Sequence, residues 1–226
     1  MTSLLPLLSL SVFTRGRRRV PTRPLLAGKF ARILEICDGK DVLDCGCVGS
    51  EIESRGGFDT TSHANLAKRA KYCLGIDIWK EEIDKRRALG LNVLHGNVET
   101  MSLGREFDVI VAADLIEHLA NPGSFLDRAR EHLREDGRLC LVTPNAFSLN
   151  NTLKYAAALE PGVHPEHTCW YDFVTLRQLL DRHGFAPVEE YWQDYRRHPL
   201  TQLVLAFRPN LAAHMIIIAR KRRSAE

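Results

Sequence analysis

From about Asp41 onward, short apolar runs alternate with amphipathic stretches, and no other feature of this chain constrains its fold as strongly. Apolar runs of strand length, separated by segments of helical period, define βαβ units whose strands pair in parallel. Five runs read as strands: "DVLDC", "YCLGID", "LNVLHG", "FDVIVAAD" and "RLCLVT". Two more are expected around Val188 to Trp192 and His214 to Ala219. Helices are expected over His63 to Ala70, over Lys80 to Ala88, in "NPGSFLDRAREHLREDG" as far as Gly137, and in "TLRQLLDRHGF". The fourth run is apolar throughout, as a strand covered on both faces is, and so belongs near the sheet centre.

The sum is an α/β fold: a Rossmann-like, doubly wound, mostly parallel seven-stranded sheet in a single domain. At 226 residues the chain suits one such domain. The domain is expected to occupy residues 26–226, behind a basic N-terminal extension of residues 1–25. That extension has no acidic residue before Glu35, while Arg15, Arg17, Arg18, Arg19 and Arg23 follow an apolar stretch from Leu4 to Phe13. The stretch is too short to span a bilayer. An organelle transit peptide, a weak membrane-surface contact and a loosely packed extension remain open for it.

The formal net charge of +3 is too small to argue for nucleic acid as a partner. The basic residues gather in the tails, around Arg17 to Arg19 and Lys221 to Arg223, so a small-molecule partner is expected rather than RNA. Cys37, Cys45, Cys47, Cys73, Cys140 and Cys169 lie mostly in apolar runs, as buried thiols of a cytoplasmic protein do. Cys45 and Cys47 lack a second pair at zinc-site spacing. No motif specifies an oligomer.

In an open sheet of this kind the ligand lies outside the carboxyl ends of the strands, so the residues there are the candidates for chemistry. The first strand ends in "DCGCVGS", an acid followed by small residues that let the backbone turn beneath a ligand. The second ends in Asp77, where nucleotide-binding sheets use a carboxylate to hold ribose hydroxyls. After the third comes Asn97, a short amide able to pair with an adenine edge, and the fourth ends in "AADLIEHL". The absence of a complete G-x-G-x-x-G disfavours a nicotinamide dehydrogenase.

This order of pieces, closed by "LREDGRLCLVTPN", resembles the class I S-adenosylmethionine-dependent methyltransferases over roughly Leu26 to Lys221. The pieces "DLIEHL", "TPN" and "HPEHTCWYDFVTLRQLLDRHGF" are similar to small-molecule methyltransferase domains. The resemblance implies S-adenosylmethionine as cofactor, with Asp44 and Gly46 under its methionine part and Cys47 of the same turn among its contacts. It implies Asp77 on the ribose, Asn97 and Val98 at the adenine, and Ala113 on the methionine side. The chain departs from the family's D-x-G-x-G-x-G by placing Val48 and Ser50 at the second and third glycines, with Gly49 out of register. The segment from Glu51 to His63 is also long for a strand-to-helix connection and could form a flap.

Methyl transfer from a sulfonium is an in-line displacement that proximity and orientation alone can promote. An acceptor that must lose a proton also gains from a base, for which His118, His167 and His164 are candidates beside Glu117. Trp170 and Tyr171 read as wall or core aromatics. A competing reading puts Asp114, Glu117 and His118 at helical spacing, with His164 or His167 completing a metal site. That pattern resembles the small-RNA terminal 2′-O-methyltransferases and the ubiquinone-pathway O-methyltransferases, which use a divalent ion, although Asp114 stands where their first Glu belongs. The sequence by itself assigns no metal. A non-catalytic binding or scaffold module on the same fold is the third reading.

Overall fold

A computed structural model describes residues 23–26, 30–48, 62–194 and 198–222. The Arg15 to Arg19 cluster, Gly49 and Ser50, and the flap expected before Ser62 lie outside these residues. The strands are β1 (Leu25–Leu26), β2 (Asp41–Cys45), β3 (Tyr72–Asp77), β4 (Val93–His95), β5 (Phe107–Ala113), β6 (Leu133–Pro144), β7 (Phe185–Gln193) and β8 (His214–Lys221). They form one sheet in the order β1-β7-β8-β6-β5-β2-β3-β4, parallel except where β8 pairs with β6 and β7. The helices are α1 (Ala31–Cys37), α2 (Ser62–Arg69), α3 (Lys80–Ala88), α4 (Pro122–His132), α5 (Leu149–Ala156), α6 (Phe173–Arg182) and α7 (Pro199–Phe207).

Alternation along the central strands supplies both faces of the core, since successive side chains point to opposite sides. Leu43, Ile110, Leu141 and Ile217 pack with Phe125, Ala129 and Leu176 of α4 and α6. Their neighbours Val42, Val111, Val142 and Ile218 pack with Ile33, Cys37 and Leu66 of α1 and α2. Both faces are covered, which is why the strands read as unbroken apolar runs. The cysteines are free thiols, five of them buried and Cys169 partly so.

Two expectations are corrected. The sheet has eight strands rather than seven: β1 pairs Leu25 with Trp192 and Leu26 with Gln193, and two residues are too few to show a period. The helix expected to run to Gly137 ends at His132. There the imidazole donates to the Arg128 carbonyl from Nδ1 (2.7 Å) and accepts Leu103 N–H at Nε2 (2.8 Å), and Leu133 passes into the sheet opposite Phe107. Gly137 is needed for a different reason: a Cβ on it would lie 2.9 Å from the Arg134 carbonyl oxygen. Of the cations near the C-terminal end, Lys221 pairs with Glu135 at 2.9 Å and Arg222 with Asp181.

β2 and β5 are neighbours, and from them the chain winds outward in opposite directions, toward β3 and β4 on one side and β6 on the other. This is the switch point at which such sheets bind ligands. Among the described residues no helix is long and apolar enough to cross a membrane.

Candidate active site

At the end of β2, Gly46 takes φ +75, a conformation glycine adopts without steric cost, and folds the chain back onto β3. Its N–H donates to the Ile76 carbonyl at 2.9 Å, as that of Cys47 does at 3.4 Å, and Val48 N–H donates to Asp77 Oδ2 at 3.1 Å. A Cβ on Gly46 would meet Leu115 Cδ1 at 3.1 Å, so the turns after β2 and β5 touch across the switch point. Asp44 is buried, and its Oδ2 is hydrogen bonded to His63 Nδ1 at 2.9 Å. The Cys47 side chain is buried too, so only its backbone can face a ligand. Burial holds the Cys45 and Cys47 thiols well above their ordinary pKa, which disqualifies both as nucleophiles.

Asp77 is half-buried at the end of β3, with Oδ1 accepting Trp79 N–H and Oδ2 accepting Val48 N–H, each at 3.1 Å. A carboxylate oxygen has two acceptor positions, so both oxygens keep one for a hydroxyl. After β4, Asn97 Oδ1 accepts Glu99 N–H at 2.8 Å, which leaves the amide NH₂ as a donor toward a base edge. Val98 beside it is buried. Ala113 closes β5 half-buried. Three features therefore suit S-adenosylmethionine: a tight glycine turn, a carboxylate with spare acceptor positions, and an amide above an apolar floor.

The segment after β5 differs from its expected form. Asp114 has φ +50, and Ile116–His118 is a single 3-10 turn; the α-helix starts only at Pro122. Asp114, Glu117 and His118 thus do not share one helical face. Glu117 is 1% exposed, with Oε2 accepting from the Thr143 hydroxyl at 2.9 Å and Oε1 without a hydrogen-bond partner among the described residues. Burial, aided by the charge of Asp114, pushes its carboxyl up to about 8. Asp114 also approaches His214 Nε2, at 3.7 Å.

His118 turns the other way, toward the loop after β6. Thr168 holds that loop in place: its N–H donates to the Glu117 carbonyl at 2.8 Å, and its hydroxyl reaches the carbonyls of Glu117 (3.0 Å) and Leu119 (2.9 Å). His167 is thereby brought against His118, ring centroids 4.5 Å apart, and His164 lies 5.6 Å from each. One ring nitrogen from each of the three falls within 4.8 Å of the others. Burial, then the neighbouring imidazoles, push His167 down to about 4, and His118 is lowered by burial and His164. Of the two aromatics beside them, Tyr171 is buried and Trp170 half-buried. Sequence reasoning missed Thr143, Thr168 and His214, whose partners are distant in the chain, and the His63 partner of Asp44.

Fold and strand-end geometry define a class I S-adenosylmethionine-dependent methyltransferase, and the cofactor of that class is S-adenosylmethionine. A family model described as "Methyltransferase domain" matches residues 17–190, and the chain belongs to this family. It is 26% identical over 159 residues to a Mycolicibacterium smegmatis protein named "Probable S-adenosylmethionine-dependent methyltransferase", a match covering 69% of this chain and 56% of that one. It thus spans little more than half of that relative's length. A ubiquinone biosynthesis O-methyltransferase of Roseobacter denitrificans is 29% identical over 180 residues, covering 73% of this chain and 68% of that one. Among solved structures, a SAM-dependent methyltransferase from Archaeoglobus fulgidus superimposes with a TM-score of 0.61 at 18% identity, covering 85% of this chain and 91% of that one.

Proposed function

We propose that this methyltransferase moves a methyl group to an oxygen or nitrogen of a small-molecule acceptor, with His118 and His167 at the acceptor. The observation that carries the reading is the convergence of three imidazoles at the carboxyl edge of β5 and β6. The bound cofactor supplies an electrophilic methyl group on sulfur. Asp44, Gly46, the backbone of Cys47, Asp77, Asn97, Val98 and Ala113 form its bed. Glu117 is too deeply buried to touch the acceptor and instead positions the turn that carries His118. An acceptor hydroxyl or amine that loses its proton as the bond forms hands it to a neutral imidazole at this edge. The ubiquinone-pathway relative favours oxygen, and the ion pairing of Lys221 and Arg222 leaves less cation for RNA.

Incubation with S-adenosylmethionine and a panel of phenols, sugars and amines, read as S-adenosylhomocysteine released, tests this. His118→Ala and His167→Ala are expected to lower turnover by about a hundredfold while barely changing cofactor affinity. Turnover within about twofold of wild type in both variants, a loss smaller than one assisted proton transfer, would remove the imidazoles from the chemistry. No product with any acceptor or cell extract would favour the scaffold reading.

The same cluster favours a second reading, in which His118, His164 and His167 hold a divalent ion. Metal–nitrogen bonds of about 2.0–2.1 Å place such ligand atoms about 3 Å apart, within reach of small rotations from the observed spacing. The ion would supply Lewis acidity to the acceptor oxygen. Activity lost to a chelator and restored by Mn²⁺ or Zn²⁺ supports this reading; indifference supports the metal-free one.

A further inference from the structure

The connection between β7 and β8 carries α7 at the same edge of the sheet as the candidate active site. β7 and β6 both pair antiparallel with β8, so they run in the same direction and the connection leaves β7 at that edge. It is strapped there by Asn145, which follows β6. Asn145 Nδ2 donates to the carbonyls of Asn210 (3.0 Å) and Ala212 (2.8 Å), and its N–H donates to that of Ala213 (2.8 Å).

α7 reads "PLTQLVLAF" and contains no charged residue. Leu205 is buried, and Thr201 and Val204 are partly so, which fixes the inner face. On the outer face Leu200 (63%), Leu203 (58%) and Phe207 (74%) are largely exposed. Their i, i+3, i+7 spacing puts them in one stripe. A surface helix ordinarily turns polar residues outward, so a helix apolar on both faces has an outer face made to be covered. Charge indicates by what. His198 and Arg208 bracket the helix, both exposed, and the sequence from Tyr195 to Arg222 has no acidic residue. Arg208 at one end of the apolar stripe, in a stretch without acids, matches an anionic headgroup layer above acyl chains, since its side chain can keep its charge at the interface while the stripe dips below it.

We propose that the outer face of α7 docks on an anionic lipid bilayer, setting the active-site edge against the membrane surface. The inference does not depend on which acceptor is methylated. Co-sedimentation of the full chain with vesicles of phosphatidylcholine alone, and of phosphatidylcholine with phosphatidylglycerol, tests it. Binding is expected to the anionic vesicles, weakening as salt is raised. A variant combining Leu200→Gln, Leu203→Gln and Phe207→Gln is expected to bind about tenfold or more weakly, with its melting temperature and cofactor affinity retained because the three side chains are exposed. Arg208→Gln is expected to weaken binding to anionic vesicles only. Failure of wild type to bind overturns the proposal. Equal binding by the triple variant also overturns it, and assigns attachment elsewhere, such as the sequence around Arg17 to Arg19. A wild-type dimer that the triple variant abolishes, without vesicle binding, gives the face to a second copy.

Discussion

Thr168 joins two loops more than forty residues apart in sequence, and on it depends the meeting of His167 with His118. Replacing it by valine removes the hydroxyl but keeps the shape, and one neutral hydrogen bond is worth about 1 kcal/mol net. Two carbonyls lose this donor, so Thr168→Val is expected to lower turnover by about tenfold. Affinity for S-adenosylhomocysteine, measured alongside, is expected to stay unchanged; a parallel loss of affinity would mean the threonine serves the cofactor bed instead. At this scale the sequence was legible wherever a residue's role follows from its strand end. Asp77, Asn97 and the three histidines were chosen as candidates by that rule, and the fold sets them after β3, β4, β5 and β6. The roles of Thr168, Thr143 and His63 were not, because each partner is set by tertiary packing. The proposed helical grouping of Asp114, Glu117 and His118 failed for a local reason: Asp114 adopts φ +50 and a 3-10 turn splits the acid from the imidazole.

β2, β3 and α3 lie where the apolar pattern puts them, since each apolar or charged run is bounded by turn residues. α5 and α7 were not anticipated; they lie outside the βαβ rhythm, with apolar side chains exposed on their surfaces. β1 was equally invisible, yet it ties the start of the described chain to β7. Behind it Arg23 donates to Glu190 at 2.6 Å and lies 4.1 Å over the Phe173 ring, while Arg177 donates to the same carboxylate. Burial raises the Glu190 pKa, but the hydrogen bonds from Arg177 and Arg23 outweigh it, and the net shift is downward from 4.5. A depressed carboxylate contributes stability that is fully present above its unfolded value and is lost as pH falls through the folded one. Melting curves of wild type and Glu190→Gln are therefore expected to be well separated near neutrality and to converge as pH drops below about 4.5. A constant separation down to acid pH would show that the network adds nothing through its charge.

Across the whole molecule, the order of strand ends around one switch point was readable from the sequence because the central strands β2, β5 and β6 are covered on both faces and announce themselves. The edge built by α5, α7 and the loop after β6 was not, because its geometry depends on bonds such as those of Asn145 and Thr168 between distant segments. The account rests on the claim that the ends of β2, β3 and β4 form one bed for S-adenosylmethionine, with Asp77 on the ribose. The direct measurement is calorimetric titration of S-adenosylhomocysteine into wild type and Asp77→Ala. Asp77 offers a charged acceptor, and hydrogen bonds to charged groups are worth about 1.5–3 kcal/mol, so Asp77→Ala is expected to bind about ten- to a hundredfold more weakly. Absence of binding by wild type, or identical affinity in Asp77→Ala, would contradict the account.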